Sequence, residues 1–147
     1  MLEVDMSDTA PSTLEARREA IVTKHIDAEN SGNLDLLIEA FHRPHYDVVP
    51  MGAVFDGEAA VRDLVGGLVA AFPDFHFRAE KLHHAESAVI VQGHMTGTHR
   101  TDWAGIPASG KRMDVAVACV FDFDADRLVN ETVYFDFATL QRQLAPG

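Results

Sequence analysis

Hydrophobic positions follow a helical period up to about residue 72 and a two-residue period after Pro73. Leu14, Ile21, Val22 and Ala28 recur on one helical face, with His25 among them. Ser12 and Glu15 have the spacing of a capping box, in which each side chain satisfies a backbone N–H that the first turn leaves free. The pattern predicts a helix through about Asn30. Ser31-Gly32-Asn33 ends it and opens a second helix with Leu34, Leu37, Ile38 and Phe41 on one side, stopped by Pro44. His45 to Met51 reads as a short strand or extended segment. Asp56-Gly57 then turns the chain into a third helix, about Glu58 to Phe72, whose stripe is Val61, Leu64, Val65, Leu68 and Phe72. Gly66-Gly67 inside it costs about 2 kcal/mol relative to two alanines, which points to close packing, a ligand or a kink.

Beyond Pro73, Phe75 and Phe77 alternate with His76 and Arg78 as in a half-buried strand. A turn near His84 to Ser87 leads to a long strand, Ala88 to about Thr101, where Gly93 and Gly97 suggest bulges or bends. Trp103 to Arg112 holds Gly105, Pro107 and Gly110 and reads as a loop. Met113 to Phe123 and Leu128 to Phe137 are strands joined by a turn at Asp124 to Arg127, and a helix from about Ala138 to Leu144 closes the chain. Helices followed by hairpin-linked strands make an α+β order. The packing this predicts is a curved antiparallel sheet wrapped around helices, a cone with an internal pocket. Residues 1–11 read as a flexible tail, and residues 12–147 as one domain.

The last strand carries the sharpest chemical signal. Asn130, Thr132, Tyr134 and Asp136 share one face, while Val129, Val133, Phe135 and Phe137 share the other. An ordinary amphipathic strand would turn the first set to water. The partner strand argues otherwise. A two-residue turn at Ala125-Asp126 sets Asp136 opposite Val115, with Val117 and Cys119 on the same face. One bulged residue replaces these neighbours by Ala116, Ala118 and Val120, with Asp122 further along. Either way Asp136 meets an apolar wall, where desolvation raises a carboxyl pKa toward the range a general acid or base needs. On this reading Val133 and Phe135 lie on the outer face of the sheet and form a homodimer contact.

Charge narrows the partners. Twenty-three acidic against 12 basic residues give a net charge of −11, which repels phosphate backbones and anionic lipid surfaces. No nucleic acid or membrane partner is expected. A single cysteine, Cys119, excludes an internal disulfide framework, and the acidic start lacks a signal peptide's apolar stretch, so a cytoplasmic location is expected. Nucleotide-binding glycine motifs are missing. The eight histidines are poorly spaced for a metal, and none is expected. His94 and His99 are five apart on one strand, His83-His84 are adjacent, and His42 and His45 flank a proline. His25 on the first helix's stripe reads as a buried histidine or a pocket residue, and Trp103 as a cap on the pocket mouth or a subunit contact.

The segment from Gly93 to Leu144 resembles the SnoaL-like polyketide cyclases, α+β cones of the nuclear transport factor two type. The similarity rests on TGTH (Thr96 to His99), GIPASGKR (Gly105 to Arg112), the strand ending Phe121-Asp122-Phe123, and Tyr134-Phe135-Asp136 followed by LQRQL. Asn30 to Asp35 is similar to the family's joint between its first two helices. The resemblance implies an aldol-type ring closure on an apolar polyketide-like carbonyl substrate, with Asp136 as general acid/base and His99 or Asp122 as its partner. It implies no metal or organic cofactor. His25, Phe72, Phe77, His94, Trp103, Thr132 and Tyr134 are the expected pocket residues. The chain departs from the family at Thr132, where a tryptophan is common, and at His25, an aromatic position of the first helix. A ligand-binding module without chemistry, and a relative that activates water as an epoxide hydrolase or hydroxylase does, are the alternatives.

Overall fold

A computed structural model describes residues 13–146. The expected tail at residues 1–11 lies outside them, as does Ser12. Thr13 is the observed cap of the first helix, its hydroxyl accepting from the Ala16 N–H at 3.0 Å. Four helices, α1 (Leu14–Asn30), α2 (Leu34–Glu39), α3 (Glu58–Ala71) and α4 (Phe137–Leu144), accompany six strands. The strands are β1 (His45–Val48), β2 (Ala53–Asp56), β3 (His76–His84), β4 (Ala88–Thr98), β5 (Arg112–Asp124) and β6 (Arg127–Phe135). They form one sheet in the order β2-β1-β6-β5-β4-β3. The sheet is mixed rather than purely antiparallel, because β1 runs parallel to β6 with Tyr46 beside Glu131. β2, which the pattern did not single out, pairs with β1. The class is the α+β one expected.

Two glycines permit close approaches, one between neighbouring strands and one between the sheet and a helix. A Cβ on Gly93 would lie 2.0 Å from the Arg78 carbonyl oxygen, next to a bulge in β3 between Ala79 and Lys81. One on Gly97 would lie 2.9 Å from the Phe72 Cβ, where α3 ends against the sheet. α3 itself runs unbroken through Gly66-Gly67, and nothing in the structure explains Gly67.

A bulge in β6, just after a two-residue turn, decides which side chains face inward. Ala125 takes a positive φ of 55°, and the register shifts between Asp122 and Phe123. The bulged register therefore forms, although its extra residue is Val129 within β6 rather than a residue of the turn, with Val117 opposite Phe135, Cys119 opposite Val133 and Phe121 opposite Glu131. On β5 it is Met113, Val115, Val117, Cys119, Phe121 and Phe123 that are buried. Cross-strand partners share a face, so Glu131, Val133 and Phe135 point inward with them. Asn130, Thr132 and Tyr134 accompany Asp122, Val120 and Ala118 on the outer face. Val133 and Phe135 are thus cavity residues rather than outer dimer contacts. Among the described residues no helix is long and apolar enough to cross a membrane.

Candidate functional site

The inner face of the sheet and helices α1 and α3 enclose a cavity of about 60 Å³. Its walls are apolar side chains such as Leu64, Leu68, Phe75, Phe77, Met95 and Trp103. Its ionisable lining residues are Glu29, Tyr46, Cys119 and Glu131. Each is placed by its element. β6 turns Glu131 inward beside Val133 and Phe135, and β1 brings Tyr46 alongside it. The side chain of Asn30 bonds β3 as a neighbouring strand would, accepting from the Phe77 N–H at 2.7 Å and donating to the Phe77 carbonyl at 3.0 Å. That anchors the last turn of α1, and with it Glu29, against the cavity.

Behind Glu131 stands His25, wedged edge-on between the rings of Phe41 and Phe121 at 5.3 and 5.4 Å. Its Nε2 lies 2.8 Å from the Glu131 Oε1 and 3.0 Å from the Tyr46 hydroxyl. Burial pushes the imidazole pKa down. The charge of Glu131, its hydrogen bond, the charge of Glu29 and the Leu37 backbone together push harder the other way, so the result is raised. The Glu29 carboxyl is pushed up to about 7, first by burial and then by the Glu131 charge, against a smaller downward pull from His25. Burial, followed by the same two carboxylates, holds the Tyr46 hydroxyl and the Cys119 thiol well above their usual ranges. Tyr46 therefore stays a neutral donor and Cys119 stays a thiol. A carboxyl paired with an imidazole whose pKa is raised, beside a second carboxyl pushed up to about 7, is an arrangement that can move protons near neutral pH.

The expected site residues are dispersed. Asp136 is exposed, outside the cavity, as the N-cap of α4. It accepts from the Ala138 N–H at 3.0 Å and the Thr139 hydroxyl at 2.9 Å. The Thr139 bonds, with that of Ala138, draw its pKa down against slight desolvation, the reverse of the expected shift. The physical reason is that β6 ends at Phe135, before the chain could set Asp136 on an apolar wall. His99 is fully buried but stacks on Phe72 at 5.2 Å, its Nδ1 3.1 Å from the Ser109 hydroxyl, and does not line the cavity. Asp122 sits on the outer face and accepts from the Asn130 side chain at 2.9 Å.

Of the expected pocket residues, Phe77 and Trp103 line the cavity. Phe72 lies one layer back, edge-on to Trp103 at 5.7 Å, and His25 one layer back behind Glu131. His94 is on the outer face, 2.8 Å from Asp114 and 3.7 Å from Glu80. Thr132 and Tyr134 share that face, Tyr134 being 47% exposed. Glu131, Glu29 and Tyr46 are the cavity residues that the reading of the sequence passed over. Glu131 carries a detectable signal, a carboxylate in the otherwise apolar series Val129, Val133, Phe135. Glu29 follows His25 by four residues on the same face of α1. Among the described residues no three His, Cys, Asp or Glu side chains gather as metal ligands would.

A model of the SnoaL-like polyketide cyclase family matches residues 19–144. No curated protein matches the chain. Among solved structures, a protein assigned to the SnoaL-like polyketide cyclases from Jannaschia sp. CCS1 superposes with a TM-score of 0.83 at 19% identity, covering 95% of this chain and 100% of its own. One assigned as a polyketide cyclase from Acidithiobacillus ferrooxidans has a TM-score of 0.72 at 28% identity, covering 90% and 97%. AclR from Streptomyces galilaeus, assigned as a hydroxylase, has a TM-score of 0.74 at 20% identity, covering 88% and 96%.

Proposed function

Because the chain belongs to the SnoaL-like polyketide cyclase family, we propose that its cavity is the active site of a cofactor-independent acid/base enzyme acting on an apolar, polyketide-like carbonyl compound. The observation that carries this reading is the carboxylate of Glu131, buried on an otherwise apolar wall with His25 2.8 Å behind it. Glu131 is the general base. It removes a proton from the carbon beside a carbonyl, and the resulting enolate attacks a second carbonyl of the same molecule to close a ring. The apolar walls hold the substrate folded and exclude water, so that proximity and a single positioned base suffice. Protonated His25 keeps the pair neutral overall while leaving Glu131 facing the substrate. Tyr46 turns a hydroxyl toward the same region.

We also propose a homodimer through the outer face of the sheet, where Ala116, Ala118, Val120 and Tyr134 form an uncharged strip between the charged residues Asp114 and Asp122. The test of the enzyme reading is turnover of polyketide-type esters by the wild type and by Glu131→Gln, which keeps shape and removes the base. A loss of about 100-fold or more is expected. Equal turnover would remove Glu131 from the chemistry. A ligand bound and recovered unchanged would favour a binding module.

A further inference from the structure

We propose that Glu29 is the proton donor of this site, giving its proton to the substrate's carbonyl oxygen as Glu131 takes one from the adjacent carbon. The proposal rests on the acid/base reading above and adds a second reacting group from a different element. Glu29 and Glu131 are the charged residues lining the cavity, and no Lys, Arg or His lines it with them. His25 lies one turn before Glu29 on α1, yet its Nε2 engages Glu131. The imidazole thus makes the two carboxyls unequal. Glu131 has the imidazole at 2.8 Å as a partner, whereas the Glu29 carboxyl has only longer-range charges and accepts no hydrogen bond from any described residue. A carboxyl that lines the cavity with Leu68, Phe75 and Phe77 and has no donor holds its proton more tightly, because ionising there gives up hydration for only a small pull from His25. The Asn30 clamp on Phe77 fixes the turn of α1 that carries Glu29 at the cavity. A carbonyl oxygen bound in the cavity is an acceptor for that proton.

The step balances. The C–H bond breaks and its proton goes to Glu131, its electron pair becomes the enol double bond, and the proton of Glu29 forms the enol O–H. When the enol carbon attacks the second carbonyl, the O–H proton returns to Glu29 and the new alkoxide takes the proton held by Glu131. Both residues are then reset, and no electrons are gained or lost.

Two measurements on the full chain test this. Carboxyl carbon-13 NMR of glutamate-labelled protein, assigned with Glu29→Gln, should show Glu29 titrating near 7. A value in the ordinary range near 4.3 would overturn the proposal whatever the substrate. The second uses β-tetralone as an enolisable probe, following deuterium exchange at its benzylic carbon. The wild type should accelerate exchange, with a rate that falls as pH rises past 7, and Glu131→Gln should return it to the buffer rate. Glu29→Gln should slow it about 10-fold or more and abolish that alkaline fall. A Glu29→Gln variant with the wild-type rate and pH profile sinks the proposal while the role of Glu131 stands. A wild type no faster than buffer sinks both.

Discussion

The Nε2 of His25 and the Oε1 of Glu131 lie 2.8 Å apart, and neither side chain is more than 5% exposed. A pair this deep gives little net stability when whole, because desolvation offsets the attraction, but breaking it strands a charge in the core. His25→Leu should therefore cost about 3–5 kcal/mol in urea unfolding. The double variant His25→Leu/Glu131→Leu should be clearly more stable than the sum of its single variants predicts. Strict additivity would show that the two groups are not coupled.

Asp136 and Glu131 make opposite predictions. Asp136 accepts two hydrogen bonds at the start of α4. Replacing it by alanine should lower the melting temperature and leave turnover within about threefold, since a cap contributes to the fold rather than to a transition state. Glu131→Gln should do the reverse to turnover. If Asp136→Ala abolishes activity in a protein whose near-ultraviolet spectrum is native, the base has been placed on the wrong residue.

The helices, the strand order in the second half and the fold class were legible because apolar period and turn chemistry act locally. The candidate site was less so. Both registers of β5 and β6 were visible in the sequence, and the choice between them hinges on one bulged residue in β6, Val129, which the pairing skips between Leu128 and Asn130. The polar series Asn130, Thr132, Tyr134 drew attention by its regularity, yet regular polarity on a strand marks the face that meets solvent. The informative residue was the exception on the opposite face, Glu131. Its partner His25 lies on α1, and no periodicity within one element brings a helix and a strand together. β2 was missed because four residues are too few to establish alternation.

Arg18 ties distant turns together from inside the fold. It is 4% exposed, donates from Nε to the Ala125 carbonyl at 2.8 Å and from a guanidinium nitrogen to the Glu86 carbonyl at 2.9 Å, and lies 5.5 Å from the Phe123 ring centre. Methionine at this position fills the volume and leaves both carbonyls without their donor. Arg18→Met should cost about 2–4 kcal/mol in denaturant unfolding. Hydrogen exchange should quicken at the β3–β4 and β5–β6 turns before anywhere else. Uniform protection with unchanged stability would contradict the clamp.

The proposed dimer is tested at Ala118, near the centre of the outer face between Gln92 and Tyr134 in cross-strand register. Light scattering at micromolar concentration should give twice the chain mass for the wild type. Ala118→Arg would bring a pair of like charges together in a two-fold interface and should yield monomers. A wild type that is already monomeric would rule this contact out.

Glu29 should make the protein less stable as pH rises. Its carboxyl holds a proton up to about 7 when folded, against an ordinary value of 4.5. Below pH 4.5 folded and unfolded chains are both protonated there, so the group costs nothing. Between 4.5 and 7 the unfolded chain ionises first and is favoured, and above 7 the loss levels off at about 3 kcal/mol. His25 works in the same direction, because its raised pKa gives stability that is full below 6.5 and fades as pH climbs through the folded value. Wild-type melting temperature should therefore decline from pH 5 to pH 8. Glu29→Gln removes the Glu29 share of that slope, matching the wild type near pH 4 and melting several degrees higher at pH 8. Parallel curves for the two proteins across this range would mean that Glu29 ionises as freely in the fold as out of it.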